Sequence, residues 1–140
     1  MNARLSDYID WIEHLDRARL AETSRYYSDD ACFKDPFNEV RGSTAIRAVF
    51  EHMFAQLDDV HFRVTGSWHA SDSVMLAWDF EFRFKGSKTA HCVAGVSQLG
   101  FADDGRINAH RDFWDPAEGL YQHLPLIGAA LRWLKRRMRA

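Results

Sequence analysis

The 140 residues contain no basic excess, no linker and no long apolar run. Lys and Arg number 18 against 20 Asp and Glu, for a net charge of −2. No cationic face dominates, so nucleic acid is not an expected partner. The three prolines and eight glycines form no Pro/Gly/Ser tract, and no repeat is present. Residues 1–140 therefore read as a single domain. No apolar stretch approaches the roughly 20 residues of a membrane-spanning helix. The opening "MNARLSDYIDWIEHLD" is charged within its first ten residues and has no apolar core segment. It is unlike a signal peptide, and a cytoplasmic location is the expectation. Two cysteines without metal-ligand spacing, Cys32 and Cys92, predict a pair of buried, reduced thiols.

Aromatic residues are what the chain has in quantity, at 14% with ten Phe and five Trp. Large rings fill cores and line apolar pockets. Ser6 with Asp7 can cap a first helix carrying Tyr8, Trp11, Ile12 and Leu15 at helical spacing. A second helical piece follows in "DRARLAETSRYYSDD", with Leu20 and Tyr27 inward. "ACFKDPF" reads as a short strand ending at Pro36. "GSTAIRAVFEHMFAQLDD" is a helix capped by Ser43, with Ile46, Val49, Phe50, Met53, Phe54 and Leu57 in one stripe. Beyond residue 60 the period becomes two. "HFRVTGSWHA", "VMLAWDFEFRF", "TAHCVAGVSQLGF" and "INAHRDFW" are four strands joined by short turns, hence antiparallel neighbours. The segment 124–139 is an appended C-terminal helix. Helices followed by a meander predict an α+β domain with helices on one face of a curved antiparallel sheet, a cone open at one end.

One acid stands out. If Cys32 to Phe37 is extended, Phe33, Asp35 and Phe37 share a face. A carboxylate between two Phe rings is either a desolvated base in a pocket, its pKa raised by burial, or the acceptor of a turn over Asn38–Gly42. Near the end of the meander, Asn108, His110, Asp112 and Trp114 share one strand face, and Ile107, Ala109, Arg111 and Phe113 the other. Periodicity leaves open which face is inward. His110 and Asp112 could be a base and its orienter, or a structural polar pair. His-x-Asp with His91 would make a metal site; nothing else supports it, and no metal is expected. Trp68, Trp78, Phe80, Phe82 and Phe84 read as core rings.

The segments "YSDDACFKDP" and "GSTAIRAVF", followed by a meander closing in "HRDFW", resemble the NTF2-like superfamily. Within it the similarity is nearest to ketosteroid isomerases and SnoaL-like proteins, over residues of about 5 to 115. The resemblance implies the cone fold and places the His110–Asp112–Trp114 face inside it. It puts Asp35 on the isomerase's general base, Trp11 where the isomerase has its oxyanion-hole tyrosine, and Ser97 where it has a protonated aspartic acid. "HRDFWD" also resembles the closing strand of limonene-epoxide hydrolase, which points to Asp112 as a working acid.

The expected function is binding of a small apolar molecule, turned over without cofactor by an isomerase, cyclase or hydrolase. Asp35, Asp112 and His110 would be catalytic, and Trp11, Phe33, Phe37, Ser97 and Trp114 would touch the ligand. The rival is a non-catalytic binding or protein-interaction module. Relatives imply a homodimer through the outer sheet face, which carries Asp79, Glu81 and Arg83. The basic tail "RWLKRRMR" could lie on an anionic membrane, but it is read as a solvated last helix with cations near its C-terminus.

Overall fold

Alternation of apolar and polar residues after position 57 becomes four long strands, and the helical stripes before it become the layer they cover. In the computed structural model, residues 3–121 and 124–139 are described. The order is α1 (Ala3–Glu13), a 3-10 turn (Arg19–Glu22), α2 (Thr23–Tyr26), β1 (Tyr27–Lys34), β2 (Glu39–Arg41) and α3 (Ser43–Gln56). Then come β3 (Leu57–His69), β4 (Ser73–Phe84), β5 (Ala90–Phe101), β6 (Ile107–Phe113), α4 (Pro116–Gly119) and α5 (Pro125–Met138).

The α+β architecture and the β3–β6 meander are as expected. The sheet is mixed, however. Its order is β2-β1-β6-β5-β4-β3, with β1 parallel to β6 and β2 a short antiparallel edge strand. Local pattern carries no information about that parallel pair, because its strands lie far apart in sequence. Helix α3 touches both β1 and β3, near opposite ends of the strand order, so the sheet curls around it. Two register shifts in β3, between Asp58 and His61 and between Val64 and Gly66, add the local bend that bulges supply.

Two helix starts differ from expectation. Helix α1 begins at Ala3, ahead of Ser6, because Leu5 already belongs to the stripe of Leu5, Tyr8, Trp11 and Ile12. Helix α3 is capped by Gly42 at φ 95°, with Ser43 as its first residue. The Gly42 carbonyl accepts from Ile46 N–H at 3.0 Å. A Cβ there would stand 3.1 Å from the Asp29 carbonyl oxygen, so both backbone angle and space favour glycine.

The core lies between α1, α3 and the concave sheet face. Leu5, Trp11, Leu20, Ile46, Leu99 and Ile107 are each at most 2% exposed. Burying one such side chain stabilises the fold by about 1.5–3 kcal/mol. The cysteine expectation fails: Cys32 and Cys92 are exposed and unpaired. Strand alternation turns Ala31, Phe33 and Val93 inward, which sends both thiols to the outer face.

Candidate functional site

Strand β6 pairs with β5 so that Leu99 faces His110 and Ser97 faces Asp112. The register shifts between Gly100 and Phe101, leaving Asn108 as the extra residue. Ile107 is therefore buried and Asn108 exposed, the reverse of simple alternation. Beyond this bulge, His110 and Asp112 point into the cone.

They lie on a buried chain of hydrogen bonds. Tyr8 Oη is 3.0 Å from Tyr27 Oη, and Tyr27 Oη is 2.8 Å from His110 Nδ1. His110 Nε2 is 2.6 Å from Asp112 Oδ1. Ser97 Oγ donates to the same Oδ1 at 2.5 Å and accepts from Trp78 Nε1 at 2.8 Å. Chemistry sets the polarity. With Nε2–H donating to the Asp112 carboxylate, the corresponding tautomer has Nδ1 accepting from Tyr27, whose oxygen accepts from Tyr8. Every donor points toward Asp112. Burial pushes the hydroxyl pKa of both tyrosines above the ordinary value, with the nearby Asp112 charge adding to it. Both remain neutral donors.

Both bonds to Asp112 fall on Oδ1, while its side chain is 18% exposed against 4% for His110. Asp112 borders two cavities. One, of about 310 Å³, is walled by Phe33, Phe50, Met53, Phe62 and Trp114 among other residues. The other, of about 30 Å³, lies behind Asp112 and is shared by Tyr8, Ser97 and His110. Its remaining walls are apolar, among them Ile12, Phe50, Val64 and Leu76. Phe37 packs on Trp114 and Tyr121 at ring distances of 5.5 and 6.2 Å, and at 52% exposed it forms part of the cavity rim. His52 and Gln56 add polar atoms to the wall of the larger cavity, as do Asp35 and Asn38.

The expected site residues separate into groups. Asp112, Phe33, Phe37 and Trp114 come together around the larger cavity, and of the two His110 borders only the smaller one beside the acid. Asp35 borders the rim too, but the strand ends at Lys34, so the alternation that put it between two rings stops short. Its Oδ1 accepts from the backbone N–H of Phe37 at 2.7 Å and of Asn38 at 2.6 Å. The Asn38 amide reaches both carboxylate oxygens at 3.1 Å. This is the turn geometry. Trp11 lines neither cavity. It is fully buried, stacked on Tyr26 at 4.8 Å, and its indole N–H is spent on the Arg19 carbonyl at 3.1 Å. The Ser97 proton is likewise spent on Asp112, so neither residue offers a donor to a ligand oxygen. His91 stacks on Phe82, six residues along β5 from Ser97 and so roughly 20 Å from the acid.

Tyr8, Tyr27 and Trp78 are the members that sequence reading placed only as inward-facing rings. Their signal is chemical: a buried Tyr or Trp carries a polar group that needs a partner. Two inward tyrosines in a chain with an inward histidine are grounds to look for one.

Residues 8–110 match the SnoaL-like domain family. Among curated proteins no relative is found. Solved structures share the fold at low identity. A Catenulispora acidiphila protein with a ketosteroid isomerase-like fold, in complex with trimethylamine, has a TM-score of 0.72 at 16% identity, covering 86% of this chain and 91% of its own. A Mycobacterium tuberculosis epoxide hydrolase of the limonene-epoxide hydrolase type gives 0.67 at 14%, over 94% and 93%. A candidate SnoaL-like polyketide cyclase from Shewanella denitrificans gives 0.65 at 20%, over 80% and 88%.

Proposed function

The chain belongs to the SnoaL-like domain family, and from that premise we propose that it is a cofactor-independent enzyme using Asp112 as general base on a small apolar molecule. One observation carries the reading. The Asp112 carboxylate stands at the boundary of an aromatic cavity with one oxygen held by Ser97 and His110, whereas both oxygens of Asp35, the other acid at this cavity, are engaged in its turn. We assign the other Asp112 oxygen, Oδ2, to the substrate proton or to a water that attacks the substrate. The hydrogen bonds to Oδ1 fix the carboxylate's orientation, so little reorganisation accompanies proton transfer. Tyr27, through Nδ1, holds the imidazole in the tautomer that donates to the acid, making Tyr8 and Tyr27 positioning residues. Asp35 shapes the cavity rim through its turn.

Residue types leave isomerisation, cyclisation and water addition as members of one class, each starting with a proton moved by a carboxylate. Structural neighbours named for polyketide cyclase and epoxide hydrolase support that class.

The test is isotopic. Cyclic ketones incubated in D2O and apolar epoxides in H2¹⁸O report carbon deprotonation and water addition respectively. Incorporation by the wild-type protein should fall by about 10²–10⁴-fold in Asp112→Asn and persist in Asp35→Asn. Incorporation that survives Asp112→Asn would remove the acid from the mechanism. Tight binding of these compounds without label in either assay would favour a ligand-binding module.

A further inference from the structure

Helix α5 carries its apolar residues on the outside. Leu126 is 86% exposed and Met138 78%, and Ile127, Trp133 and Leu134 are each at least half exposed. Of the whole helix only Gly128 is buried. At 3.6 residues per turn these five side chains fall within one arc of roughly 140°, and Arg132, Lys135 and Arg136 fall on the opposite side. The last acid of the chain is Glu118; beyond it stand Arg132, Lys135, Arg136, Arg137 and Arg139 with no Asp or Glu.

Arg137 decides what covers this face. Helical spacing puts it inside the apolar arc, and its guanidinium lies 5.5 Å from the centre of the Trp133 ring. A protein partner closing over the arc would bury that cation, with no acid on α5 to meet it, at a heavy desolvation cost. A second copy docked arc to arc would bring its own Arg137 to the same seam, a like charge and again no acid from α5. A lipid interface has neither difficulty. The aliphatic stem of Arg137 can lie with the apolar residues while its head reaches a phosphate, as long basic side chains do at membrane surfaces. No described helix is long and apolar enough to cross a membrane, and α5 has only 14 residues. An in-plane position suits it.

We propose that α5 is an interfacial helix that docks the protein on an anionic bilayer, with Leu126, Ile127, Trp133, Leu134 and Met138 in the acyl boundary and the cations on lipid phosphates. This goes beyond the solvated-helix expectation and stands independently of the role given to Asp112.

Co-sedimentation of the full chain with phosphatidylcholine vesicles, with and without phosphatidylglycerol, tests it. Binding should require phosphatidylglycerol and weaken with salt. Arg136→Ala with Arg137→Ala should lower partitioning by on the order of thirtyfold, and Leu126→Ser with Leu134→Ser should abolish it. All these positions are exposed, so thermal melting should confirm an unchanged fold. No binding to phosphatidylglycerol vesicles, or binding unaffected by either pair of substitutions, would overturn the proposal. A dimer abolished by Leu126→Ser with Leu134→Ser, in the absence of vesicle binding, would overturn it in favour of a second copy.

Discussion

Tyr27 and Tyr8 are unequal members of the buried chain. Tyr27→Phe strands two groups, the Tyr8 hydroxyl and His110 Nδ1, and should cost about 1–3 kcal/mol. Tyr8→Phe removes only the terminal donor and should cost about 0.5–1.5 kcal/mol. Urea unfolding of the two variants should reproduce that order; equal losses would contradict the polarity assigned to the chain. The same tyrosines set an alkaline limit. Burial raises their folded-state pKa above the unfolded value of about 10. The folded chain then keeps protons that the unfolded chain releases, so this contribution is complete below about pH 10 and declines as pH climbs beyond it. Between about pH 9 and 11 the wild-type protein should lose more stability than a Tyr8→Phe, Tyr27→Phe double variant. At this scale His110 and Asp112 were legible because they sit two apart on one strand. The tyrosines were not, since Tyr27 meets its histidine across 83 positions. For Asp35 the alternation left pocket and turn open, and because the strand ends at Lys34 the residue takes the turn geometry while still bordering the cavity.

Among the elements, β4 and β5 hold the serine end of the site through one close approach. Trp78 pairs with Gly95, and a Cβ on Gly95 would collide with the Trp78 ring. The indole must lie flat there to donate to Ser97. Gly95→Ala should cost about 1–3 kcal/mol through overpacking and release Trp78 from Ser97. Near-ultraviolet circular dichroism together with urea unfolding would detect both, and an unperturbed spectrum would show that the ring has room to move. The strands themselves were readable from alternation, and their antiparallel order from turns too short for any crossover. The pairing of β1 with β6 left no such trace. Neither did the β6 bulge, which exchanges the faces of Ile107 and Asn108.

For the whole molecule, the outer sheet face presents Asp79, Glu81, Arg83 and Cys92, with Arg63–Asp79 and Arg83–Asp59 ion pairs of 2.7 and 2.6 Å across neighbouring strands. If the β4–β5 part of this face joins two copies, as the resemblance implies for Asp79, Glu81 and Arg83, Cys92 opposite Glu81 becomes shielded. Cys32, on the same face but beyond β6 on β1, stays open. Thiol labelling of Cys92 relative to Cys32 should then slow as protein concentration rises. A constant ratio, with a monomer mass by light scattering, would remove the dimer. The parallel joint of β1 with β6 has one more consequence, for the order in which the protein is made. A ribosome that has synthesised both core helices and three long strands has still not exposed His110 or Asp112. Until the strand at 107–113 emerges and zips onto one made some eighty residues earlier, Tyr27 lacks its histidine and the cone lacks its closing wall. Closing so long a loop is slow, so the acid centre should be the last part to mature, and nascent chains cut short of residue 113 should fold no further than an open half-shell.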